Sequence, residues 1–114
     1  MNIFERVEAA LSSITPAVPY GMDTYESTGN LPDQYMAYQV VVSDAEDHAD
    51  NLEIARSYMV QVSIFSCAGL ATLPNVDAAM TAQGFVKGPF RQIPKDALSG
   101  HYGLAKDYLY LEFA

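Results

Sequence analysis

The residues best equipped for chemistry lie in one acidic segment. Asp44, Glu46, Asp47, Asp50 and Glu53 fall between 44 and 53, with His48 among them. Hard oxygen ligands this dense can hold a divalent cation. The spacing departs from that of a helix–loop–helix calcium site. Ala49 stands where the sharp turn needs glycine, and Ala55 where a bidentate glutamate would close the shell. The plain alternative is a solvated loop between two strands, because blocks of like charge usually mark flexible surface. The segment is read as a mobile acidic loop and a candidate contact region, with no metal or other cofactor expected.

Other chemical groups are sparse. A hydrolytic site needs a histidine beside a nucleophile, with an acid to orient it. His48 has acids nearby but only Ser43 as a local hydroxyl, and His101 sits in the turn Ser99-Gly100-His101-Tyr102-Gly103. Both read as surface residues, and the chain does not read as an enzyme. The stretch Gly84 to Gly88 lacks the glycine spacing and the Lys-Ser/Thr ending of a phosphate loop. Cys67 is the single cysteine, so no internal disulfide or cysteine zinc cluster can form. It reads as a buried structural thiol. Arg91 and Lys95 make a small basic patch. Two charges are too few to grip nucleic acid and suit an acidic neighbour better, such as another copy of this chain.

The charge balance narrows the partners. Fourteen acids against six bases give a net charge of −8 over 114 residues. An acidic surface repels phosphate, which argues against sequence-independent binding of nucleic acid and against anionic lipid. DNA could still slide past such a surface. The length fits one domain, 1–114. The opening segment carries Glu5, Arg6 and Glu8 among its apolar residues, unlike a secretory leader. No run approaches the length of a membrane span. The expected place is a cytoplasm unless assembly carries the protein elsewhere.

The elements that position these residues follow from periodicity. Ile3, Phe4, Val7, Leu11 and Ile14 form one stripe of a helix over 2–14. Asn2 is its N-cap and Glu5 its capping-box partner, and Pro16 ends it. Residues 15–34 are broken by Pro16, Pro19, Gly21, Gly29 and Pro32. Only 18–22 could be a short strand, confined by Pro19 to an edge. The stretch 23–34 reads as a second mobile loop.

Strands are expected at 35–42 and 55–66. In the first, Met36, Tyr38, Val40 and Val42 share a face; in the second, Tyr58, Val60, Val62 and Ile64 do. A helix over 72–83 has Thr72 as cap, Pro74 in its first turn and Gly84 as a left-handed stop. A strand then runs from Phe85 to about Phe90. In the last strand, about 104–113, Ala105, Leu109, Leu111 and Phe113 are assigned inward. Lys106, Tyr108, Tyr110 and Glu112 are assigned outward. Outward Tyr108 and Tyr110 fit either a protein interface or half-buried sheet surface. The sum is α-β-β-α-β-β: an α+β fold, with two helices on one face of a mostly antiparallel sheet of about four strands.

From about Gly21 onward the chain resembles the tail-completion proteins of long-tailed bacteriophages and prophages, which include tail-terminator and tail-to-head joining proteins. The residues carrying this are Pro32-x-x-Tyr35-x-x-Tyr38, the strand end Ser43-Asp44, and the acidic stretch with Ala49-Asp50. Tyr58-Met59-Val60-Gln61-Val62, Ser66, Gly84-Phe85 and His101-Tyr102 to Phe113 follow in order. The helix before Val18-Pro19-Tyr20-Gly21-Met22 fits as well. Phe65 stands where the family often has Trp, and the helix between Leu73 and Gln83 is richer in alanine.

The resemblance implies a structural virion protein at the head-proximal end of the tail. Such proteins form a ring, usually a hexamer, that terminates the tube or joins it to the head. The implied partners are copies of itself, the major tail tube protein and the head connector or stopper, with DNA merely passing through the lumen. A competing reading is a small metal- or ligand-binding α+β domain, possibly an enzyme, using 44–53.

Overall fold

The computed structural model describes residues 2–23, 32–49 and 52–113, giving backbone alone for 42–49, 52–55 and Phe113. The elements in chain order are α1 (Ile3–Ser12), β1 (Tyr20–Met22), β2 (Gln34–Ala49), β3 (Leu52–Ser66), α2 (Val76–Ala82), β4 (Val86–Ile93) and β5 (Tyr102–Phe113). The strands form one sheet in the order β1-β2-β3-β5-β4. β1 lies parallel to β2, and all other neighbours are antiparallel. The fold is α+β, and the short strand expected near Pro19 forms at an edge of the sheet.

Apolar alternation sets the core. Met36, Tyr38, Val60, Val62 and Ile64 are all but fully buried, and Val7, Leu11, Val76 and Met80 of the two helices pack against the same face. The capping box forms as the sequence predicts: Asn2 Oδ1 accepts from the Glu5 amide at 2.8 Å, and Glu5 Oε1 accepts from the Asn2 amide at 3.0 Å. Phe4 departs from its predicted stripe and is 42% exposed. One residue turns a helix by about 100°, which carries Phe4 off the face that Ile3, Val7 and Leu11 share.

The second helix is shorter than its pattern suggests. Asn75, not Thr72, is its N-cap, accepting from the Ala78 amide at 3.1 Å. Asn is a stronger cap than the apolar residues before it, and Pro74 then lies ahead of the helix rather than in its first turn. Gly84 ends the turn with φ +91°, as a left-handed stop requires.

Two expectations fail in the sheet. The described residues of 43–53 are strand rather than loop: β2 continues to Ala49 and β3 begins at Leu52, with Asp44 opposite Ser57, Glu46 opposite Ala55 and His48 opposite Glu53. Asp50 lies outside the described residues. The apolar parts of β2 and β3 fix the register, with Tyr38 opposite Val62 and Val40 opposite Val60. Backbone pairing then runs on into charged sequence. A bulge between Val40 and Val42 shifts the register, so Val42 stands opposite Met59 rather than Tyr58. Of the predicted loop 23–34, residues 24–31 lie outside the described residues.

The second failure is the phase of β5 beyond Ala105, which is buried as predicted. Tyr108 stands opposite Val60, and Lys106 opposite Val62, so these even-numbered residues share the core face. Tyr108 is fully buried, whereas Leu109 and Leu111 are 40% and 45% exposed. Leu109 stands opposite Met59 and Leu111 opposite Ser57, on the sheet face turned away from the helices. Lys106 misled the assignment. Its ammonium reaches the Asp77 carboxylate of α2 at 3.3 Å, and its side chain is 21% exposed. β4 also extends beyond its predicted end to Ile93, passing Pro89 in a register shift between Lys87 and Phe90.

Candidate interaction surfaces

The two tyrosines proposed as outward contacts are used within the molecule. The Tyr108 hydroxyl donates to Asp77 Oδ1 at 2.5 Å, and Lys106 and Lys87 reach the same carboxylate at 3.3 and 3.6 Å. Burial and the hydrogen bond to Asp77 push the Tyr108 hydroxyl far above the ordinary tyrosine range, so it stays protonated. Burial pulls Asp77 upward, but Tyr108, Lys106 and Lys87 outweigh it and hold the carboxyl below its usual range. Tyr110 is half-buried. Its ring lies 5.3 Å from that of Phe85 and carries the Arg6 guanidinium at 4.5 Å from its centroid.

A second buried tyrosine ties α1 to the sheet. Tyr38 donates to Glu8, and burial followed by that bond drives its hydroxyl well above the usual range. Each pair joins a helix to a strand.

The histidine and cysteine readings also change. His101 is buried, with Nε2 2.8 Å from the Pro32 carbonyl and its ring edge-on to Tyr35. It donates from Nε2 to that carbonyl and anchors Pro32 against the start of β5. Among the described residues, its Nδ1 is buried without a hydrogen-bond partner. Cys67, expected to be buried, is exposed in the turn after β3. Sequence offered little sign of either placement, since a lone histidine in a glycine-flanked turn looks solvated.

Arg91 and Lys95 are exposed, as expected, on and just beyond the outer strand of the sheet. With the Gln61 amide oxygen turned toward it, Arg91 Nη2 donates to that oxygen at 2.6 Å. The Lys95 ammonium lies 4.8 Å above the Tyr102 ring. The residues Asp44, Glu46, Asp47 and Glu53 are strung along the β2–β3 ribbon instead of gathered in a loop. Among the described residues, no group of three or more His, Cys, Asp or Glu side chains could hold a metal.

The face turned away from the helices was missed as a surface. Val86 of β4 stands opposite Leu109 of β5, which stands opposite Met59 of β3. Val86 is 62% exposed, and Leu111 lies two residues beyond Leu109 on the same face. An apolar row continuous across three strands is the kind of surface that marks protein contact. The signal was present as the alternation of β5, read in the opposite phase.

The chain matches no protein-family model and no curated protein. No helix among the described residues is long and apolar enough to cross a membrane.

Proposed function

We propose that the protein is a structural component of a long bacteriophage tail. It acts at the head-proximal end, where copies form a ring that terminates the tail tube or joins it to the head connector. The observation that carries this reading is the uncovered sheet face. Val86, Leu109 and Leu111 present apolar side chains to solvent in one row, beside a charged ribbon that extends past the rest of the sheet. A site for small-molecule chemistry would be concave, with polar groups converging on it. Asp77, Lys87 and Lys106 do line one small concavity beside Phe90 and Leu104, but there they pair with one another, and Tyr38 and Tyr108 are likewise spent on holding helices to strands.

Net charge fits the same role. A chain carrying −8 stays soluble as a protomer until it meets a matching surface, and an acidic lumen lets DNA pass without adhesion. The metal-binding alternative gains no support from the ribbon. An extended backbone advances about 3.3 Å per residue and draws the carboxylate-bearing residues apart, where a cation loop would fold them inward.

The test is composition and placement in purified tailed particles. Quantitative mass spectrometry should find the chain at a small fixed copy number, about six, as a single closed ring demands. Antibody labelling should place it where tail meets head. Absence from particles, or a copy number scaling with tail length, would refute the reading.

A further inference from the structure

We propose that the acidic ribbon of one copy seats on the β4 margin of a second copy, joining subunits head to tail. This rests on the ring reading above and names the surfaces that would make the ring.

Charge is segregated along the chain. Five of the fourteen acids lie within 44–53, whereas Lys87, Arg91 and Lys95 supply three of the six bases within 87–95. Two copies carrying −8 each repel at long range, so association needs a local surface of opposite sign. The β4 margin supplies one. β4 is the outermost strand, and Val86 and Phe90 on it are 62% and 67% exposed. Lys87 keeps 62% of its side chain in water despite its bridge to Asp77. Pro89 and the register shift beside it interrupt the backbone edge. Docking there therefore runs through side chains, apolar and cationic, rather than through an added strand.

The ribbon has the reach and the need for a partner. β5 ends at Phe113 opposite Ala55, so beyond that point, among the described residues, β2 and β3 pair with each other alone. The molecule is 53 Å along its greatest dimension, about the length of a sixteen-residue strand at 3.3 Å per residue. A bare two-stranded ribbon is marginal in water, and a neighbouring surface would steady it.

A ribbon cannot fold back on its own β4. Val86 stands level with Met59 of β3 through Leu109, and Leu52 lies seven residues further along that strand. That separation is about 23 Å at 3.3 Å per residue. The contact must come from another copy, and two unlike surfaces meeting head to tail close into a ring when the rotation allows.

The test uses two full-length variants. One carries Asp44→Lys, Glu46→Lys and Asp47→Lys; the other carries Arg91→Glu and Lys95→Glu. Circular dichroism checks that each is folded, and Lys95→Glu alone serves if the double change disturbs β4. Sedimentation velocity is run across concentration at low and high salt. The wild-type chain should associate at low salt and dissociate as salt screens the contact. Each variant alone should associate about tenfold more weakly or less. An equimolar mixture of the two should associate again, because each reversed surface then meets its complement. Association that ignores both reversals, or a mixture that fails to recover, overturns the docking. So does a wild-type chain that stays monomeric throughout. The ring reading is judged separately, by copy number in particles.

Discussion

The hydroxyl of Tyr108, midway along β5, donates to the carboxylate of Asp77 in the first turn of α2 at 2.5 Å. The bond lies on the core face of β5, where Tyr108 stands opposite Val60 under the helices. Lys106 can sit on that face because its ammonium shares the same carboxylate.

Removing the bond should be costly. Tyr108→Phe keeps the ring and leaves Asp77 short of a donor in a half-buried site. The expected loss is about 1.5 kcal/mol, the lower end of the range for hydrogen bonds to charged groups. Urea unfolding at neutral pH measures it, and an unchanged midpoint would mean that the bond contributes nothing.

Acid should abolish part of this stability. The Asp77 carboxyl is held below its usual range in the folded chain by Tyr108, Lys106 and Lys87, which outweigh the effect of burial. A group depressed on folding stabilises fully above its unfolded value, about 3.9, and loses that contribution as pH falls through the folded value. Asp77→Asn should therefore unfold at lower temperature than the wild type at neutral pH. The gap should narrow as pH drops below about 4. A gap that is constant with pH would assign the effect to packing.

The two faces of the sheet should respond differently to truncation. Val62 is fully buried, and Val62→Ala should cost about 2–4 kcal/mol through the cavity left behind. Leu111 is 45% exposed, and Leu111→Ala should cost under about 1 kcal/mol in the free protomer. Equal losses from thermal denaturation would place Leu111 in the core, as the alternation of β5 first suggested.

Much of the architecture was legible because apolar period and capping chemistry agreed. Asn2 with Glu5 marked the start of α1, Gly84 marked the end of α2, and Val60, Val62 and Ile64 marked a central strand. The phase of β5 was not legible. Lys106, Tyr108, Tyr110 and Glu112 look like an outward face until the partner that satisfies Lys106 and Tyr108 is known, and Asp77 lies some thirty positions away in α2. The ribbon was hidden for a related reason. Its carboxylates at Asp44, Glu46, Asp47 and Glu53 resemble a loop in composition, while its register continues, shifted by the bulge, from apolar pairs elsewhere in β2 and β3. Of the candidate contact residues, Arg91 and Lys95 stand exposed where expected; Tyr108 and Tyr110 are bound within the fold.

The paired ribbon makes a solution prediction. Cross-strand nuclear Overhauser contacts should connect Glu46 with Ala55 and Ala49 with Leu52, the pairs opposite each other in the hairpin. Random-coil shifts and no such contacts would restore the loop.

The central claim, assembly at the head end of a tail, is tested most directly by inactivating the gene in the phage or prophage that carries it and viewing the particles by electron microscopy. The account predicts DNA-filled heads separated from tails, or tubes of uncontrolled length, with joining restored when the protein is supplied from a plasmid. Normal, infectious particles lacking the protein would contradict it.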